Sequence, residues 1–188
     1  MKKNFSAVAL AVSALVFAAC NDNKTTETST DSATVSQVTT DTTAVGKTSN
    51  EFVMVTAQNG IAEVEMGKQA QSNGGSQDVK DFGKTLETDH GNANAALISI
   101  ANEENILLPT AMTEDHRKHL ADMGAMKGKD YDKHFIDMMI DSHGKSIERF
   151  KDAAANNANA RVKDFAAKTL PTLEAHLAKA KAIKSKMK

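Results

Sequence analysis

Between Asn50 and Met187 the chain repeats one pattern: long segments with apolar residues every three or four positions, each ended by residues that break helices. That period is the signature of an amphipathic helix. The spacing predicts a first helix over Asn50–Asn73, closed by Asn73-Gly74-Gly75, and a second over Ser76–Asn105. Leu108-Pro109 stops the second, because proline restricts the residue before it. A short helix over Thr113–Met123 ends in the Gly124–Gly128 break. A fourth covers Asp130–Ala155 and a fifth Ala158–Met187, where Pro171 removes one hydrogen bond and is expected to kink the helix. The expected fold is all-α: a four-helix bundle over residues 50–188, with an extra short helix in the middle connection.

Composition narrows the chemistry. The chain has no tryptophan, one tyrosine and two prolines, which disfavours a sandwich or barrel. A formal net charge of −1 supplies no single-sign field for nucleic acid, so no nucleic-acid partner is expected. One cysteine excludes an internal disulfide framework and a cysteine-based zinc knuckle. With no glycine-rich phosphate loop and no Gly-x-Ser-x-Gly elbow in the sequence, any chemistry must use histidine and carboxylate.

Placing residues at about 100° per position shows where such groups point. Glu63 lies at the centre of the stripe made by Phe52, Asn59, Met66 and Ala70, whereas Glu65 points away. His90 shares its stripe with Val79, Gly83, Leu86, Leu97 and Ala101. His143 lies among Ile136, Met139, Ile147 and Phe150, and His176 among Val162, Phe165, Ala180 and Ile183. All four are near mid-helix, and within each hairpin their heights differ by about 8 Å at 1.5 Å per residue. An uncompensated charge in that layer would cost several kcal/mol, so these groups must be paired, hydrogen-bonded or metal-bound.

Two readings of the layer stand side by side. In one, Glu63, His90, His143 and His176 form the donor set of one divalent transition metal (zinc, iron, copper or nickel). Asn59, Asn94 and Thr172, each a turn from a proposed ligand, would orient the rings, and Asp89 at the edge of the stripe would serve a neighbour. In the other, the polar layer only fixes helix register in a structural or interaction protein. Met66 and Met139 read as core fillers. Glu87 and His90 form a Glu-x-x-His pair, but Ile140 and Leu173 stand where a di-iron site would need its further carboxylates. A redox enzyme would need an open coordination position and a channel, and no motif marks either, so no catalytic residue is assigned. His116, His119 and His134 read as surface histidines.

The N-terminus reads as an address. Met1-Lys2-Lys3-Asn4 is basic, and the apolar run Phe5–Phe17 is shorter than the roughly 20 residues of a membrane span, so residues 1–19 fit a secretory signal. Phe17-Ala18-Ala19-Cys20 resembles the lipobox of bacterial lipoproteins, with Phe17 where Leu is usual. That resemblance implies lipidation of Cys20, a membrane partner through the anchor, and, because Asn21 replaces a retaining Asp, an outer-membrane address in the cell envelope. Ordinary signal cleavage, leaving a soluble periplasmic or secreted protein, is the alternative. Residues 20–49, rich in Ser and Thr, read as a disordered tether.

The bundle sequence resembles a bacterial envelope family, domain-of-unknown-function family 4142, grouped with ferritin-like bundles. The resemblance rests on Gly60-Ile61-Ala62-Glu63-Val64-Glu65, Val79-Lys80-Asp81-Phe82-Gly83 and Thr88-Asp89-His90. It continues through Leu108-Pro109, Tyr131-Asp132, His143 and Leu170-Pro171-Thr172-Leu173-Glu174-Ala175-His176-Leu177. Gly83 stands where Ala is usual and Leu86 where Met is usual. The family pattern falls on Glu63, Asp89, His90, His143 and His176, and implies a ferritin-like fold and an envelope location but little chemistry.

Overall fold

The structure, a computed structural model, describes residues 42–187, with side chains from Ser49 onward; the proposed signal, Cys20 and most of the expected tether lie outside the described residues. It contains five helices: α1 (Thr42–Asn73), α2 (Gln77–Glu103), α3 (Glu114–Gly124), α4 (Gly128–Asn156) and α5 (Ala160–Lys186). The architecture is the expected all-α bundle of four long helices with α3 in the middle connection. No helix among the described residues is long and apolar enough to cross a membrane.

Local chemistry fixes most boundaries. Ser76 caps α2 by accepting from the Val79 amide, and Thr113 caps α3 by accepting from the His116 amide. Asn159 caps α5 by accepting from the amides of Arg161 and Val162; these side chains satisfy donors that a helix start leaves orphaned. α5 continues unbroken through Pro171, which deprives one carbonyl of the preceding turn of its partner. The largest difference from expectation is α1, which begins at Thr42, eight residues before Asn50, inside the segment read as tether. Ser49 is buried and donates to Asn157 Oδ1 at 2.8 Å, in the turn between α4 and α5. A Thr-rich segment without apolar periodicity carries no mark of such a contact.

The core has two apolar halves. One contains Met66, Val79, Phe82, Leu86, Tyr131, Phe135, Met139 and Ile183. The other contains Phe52, Val53, Leu97, Ile147, Phe150, Val162, Phe165 and Leu173. Following each helix from one half to the other gives its direction. α1 and α5 run one way and α2 and α4 the other, so the connection carrying α3 crosses the length of the bundle. This single crossover is the connectivity of ferritin-like folds. The start of α4 returns to the α1–α2 turn, where buried Asp132 accepts from the amides of Gly75 at 2.7 Å and Ser76 at 2.8 Å.

α1 and α2 approach most closely at Gly67 and Gly83. A Cβ at Gly67 would lie 2.5 Å from the Gly83 carbonyl oxygen, and one at Gly83 would lie 2.6 Å from that of Gly67. The two backbones are thus in direct contact just below the level of Glu63 and His90.

Candidate metal centre

Between the apolar halves lies a polar layer. Glu63 on α1, His90 on α2, His143 on α4 and His176 on α5 are all buried there, at 8%, 7%, 1% and 3% exposure. The three imidazoles form a near-equilateral triangle, with ring centroids 5.6 Å (His90–His143), 5.4 Å (His90–His176) and 5.2 Å (His143–His176) apart. One nitrogen from each lies within 4.8 Å of the other two, a spacing compatible with a shared metal ion.

Hydrogen-bond partners assign the tautomers. His143 Nδ1 lies 3.0 Å from the Met139 carbonyl, which can only accept, so Nδ1 carries the proton and Nε2 is bare. His176 Nε2 lies 2.9 Å from the Asp89 carboxylate and donates to it. In the neutral ring this leaves Nδ1 bare, and the two bare nitrogens face each other at 3.2 Å. Beside His90 Nδ1 the nearby acceptor is Glu63 Oε2 at 3.3 Å, while His90 Nε2 is buried without any partner. Two unprotonated nitrogens therefore face each other in the buried cluster, and the third ring, His90, brings a buried Nε2 without a partner. Lone pairs at that distance repel unless a cation stands between them.

Burial also sets the protonation. Desolvation pushes His90 down to about 3, with the His176 charge adding to the effect and Asp89 opposing it. Desolvation likewise pushes His143 down to about 4, against the pull of Glu63. Both rings stay neutral near pH 7, the form that ligates metals. Burial raises Glu63 above the usual carboxylate range, opposed by His143 and His176.

The expected donor set is thus brought into one layer with a division of labour. Glu63 stands behind the triangle: its carboxylate faces the Nδ1 edges of His90 and, at 3.8 Å, of His143. Asp89 orients His176. Among the described residues no hydrogen bond joins Asn59, Asn94 or Thr172 to a ring, so the structure does not give them the orienting role expected of them. Asn94 instead packs its amide over Gly60, where a Cβ would meet it at 2.1 Å. Asn59 lies, with Glu63 and His90, against a small cavity of about 30 Å³, and half-buried Thr172 lines an open groove that also contains Asp89. The orienting groups not foreseen are the Met139 carbonyl, which no side-chain pattern can announce, and Ser142, whose hydroxyl lies 3.4 Å from Glu63 Oε1.

Met66 and Met139 are core fillers, as expected. Glu87 turns to Gln71 and Lys84 on the flank, away from the layer, consistent with the absence of a di-iron pattern. His116, His119 and His134 are half-buried rather than plainly superficial.

No curated protein and no solved structure matches this chain. A protein-family model described as a domain of unknown function, DUF4142, matches residues 34–183, and that span, nearly the whole bundle, places the chain in the DUF4142 family.

Proposed function

We propose that this chain is a lipid-anchored bundle of the bacterial cell envelope, attached through Cys20 to the outer membrane, that holds one divalent transition metal in a storage, sensing or stress-protection role. The observation that carries the metal reading is the buried triangle of His90, His143 and His176, in which bare nitrogens of His143 and His176 face each other. The other nitrogens of the three rings are engaged by Glu63, the Met139 carbonyl and Asp89. Such outer partners are the usual companions of metal-bound histidines, because they fix the tautomer and raise basicity. Zinc at about 2.0–2.1 Å from each nitrogen wants neighbours roughly 3.4 Å apart. The His143–His176 pair already stands at 3.2 Å, and a His90 nitrogen lies within 4.8 Å of both. Iron, copper and nickel accept the same nitrogen set, with Glu63 standing behind the His90 and His143 rings. The envelope part of the proposal rests on the signal-like N-terminus and on Cys20.

One observation favours a second reading. His176 is held by Asp89 through Nε2 and lies within hydrogen-bond distance of His143 through Nδ1, so hydrogen bonds alone tie the rings together and the layer only sets register. Elemental analysis of the full chain, produced without a histidine tag, separates the two. Under the metal reading, wild type carries about one equivalent of a transition metal and melts earlier after chelation. His143→Ala and His176→Ala then lose the metal while keeping their helix content. Under the register reading no metal is found, and the melt is indifferent to chelator and to added zinc, copper, iron or nickel.

A further inference from the structure

The short helix α3 and the first half of α4 present a second group of metal-capable side chains to each other. His116 and His119 are one turn apart on α3, and His134 and Met138 are one turn apart on α4, so each helix offers two donors on one face. The two faces are in contact. His119 Nε2 lies 2.8 Å from the Met138 sulfur, and the His119 and His134 rings stand 5.3 Å apart at 31°. His116 Nδ1 is buried without a partner. With His119 and Met138 it lines a cavity of about 300 Å³ that also reaches Glu63.

We propose that His116, His119 and Met138 form a separate site for a soft monovalent cation, Cu(I) or Ag(I), in the cavity that leads to Glu63, with the His134 ring beside it. The donor chemistry selects the ion. A thioether is a soft, uncharged ligand that zinc and nickel do not favour, whereas thioether with imidazole suits Cu(I). The thioether carries no charge, which matches an ion carrying a single charge. His119 is held below the ordinary histidine range by burial first and by His134 second, so its ring is available near neutral pH. The Met138 side chain has three rotatable bonds and can swing to admit an ion next to His119. The site uses none of the triad residues and does not depend on their binding a metal.

The test uses the full chain with ¹³C-methyl methionine, titrated with Ag(I) as a redox-stable stand-in for Cu(I). The Met138 methyl resonance is assigned by its loss in Met138→Leu. One equivalent of Ag(I) is expected to shift that resonance in wild type and equally in His143→Gln, whose triad is disabled, whereas Zn(II) at the same concentration leaves it in place. In competition titrations Met138→Leu and His119→Gln should each weaken Ag(I) binding by at least about tenfold. A Met138 methyl that does not move when Ag(I) is added would overturn the site. A shift abolished by His143→Gln would overturn its independence, and an equal response to Zn(II) would overturn the soft-cation assignment. The wild-type spectrum decides the first point even if a variant folds poorly.

Discussion

His143 Nε2 and His176 Nδ1 face each other across 3.2 Å at the centre of the bundle, each ring anchored from behind by an acceptor that leaves the facing nitrogen bare. What fills that gap decides the role of the layer, and Asp89 controls it. In Asp89→Asn the amide can present its N–H₂ to His176 Nε2, which lets the ring move its proton to Nδ1 and removes a lone pair from the cluster. Metal affinity is expected to fall about 10–100-fold, the usual effect of losing such a partner. Because Asp89 is over a third exposed, the fold should survive. Competition titration with a chromophoric chelator reads the change, and an unaltered affinity would remove Asp89 from the site.

The four polar groups of the layer were legible in the sequence because helical spacing reports which face a residue is on, and all four lie on inward stripes. Asp89 sat at the edge of such a stripe, and a side chain there can reach a neighbouring helix. Other features have no periodic signature. The Met139 carbonyl belongs to the backbone, and α1 upstream of Asn50 lacks apolar spacing. The inward turn of His116 and His119 depends on where the crossover lays α3, which spacing within one helix does not determine. Nor can it reveal that Gly67 and Gly83 meet.

That meeting gives a second prediction. In Gly83→Ala the new Cβ would lie 2.6 Å from the Gly67 carbonyl oxygen and 2.7 Å from the Ala70 Cβ, so the two helices must separate. Overpacking costs about 1–3 kcal/mol, of which helix propensity returns up to about 1 kcal/mol. Gly144, also inside a helix, has nothing near its Cβ position. Gly144→Ala should therefore raise the melting temperature while Gly83→Ala lowers it. Thermal melts of both variants check this, and the same sign for the two would mean that α1 and α2 are not in contact there.

The depressed histidines set the pH response of the metal-free chain. His90 at about 3 and His143 at about 4 lie below the value of about 6.5 expected in the unfolded state. Between these limits the unfolded chain binds more protons, so stability rises with pH and is lost on acidification. Glu63, raised by burial, acts with the opposite sign: its contribution is present at low pH and is lost as pH rises through its folded value. Two imidazoles oppose one carboxyl, so urea stability should fall from pH 6.5 towards pH 4, by up to about 1.4 kcal/mol per pH unit for each histidine. His143→Gln should flatten the profile. A wild-type profile level from pH 7 to pH 4 would mean that these rings are charged, or already paired, in the folded state.

Tyr131 offers a change that should help. Its ring is fully buried and stacks on Phe135 at 5.8 Å, but its hydroxyl is buried with no hydrogen-bond partner. Burial, with Asp132 as a smaller contributor, drives the phenol upward, so it stays protonated. An unmatched buried hydroxyl costs about 1–3 kcal/mol in lost hydration. Tyr131→Phe removes that group, keeps the ring and its packing, and leaves a gap smaller than a methyl group. The variant is expected to be as stable as wild type or up to about 2 kcal/mol more stable in urea denaturation. A loss of more than about 1 kcal/mol would reveal a partner for the hydroxyl, most simply a buried water bridging it to the backbone.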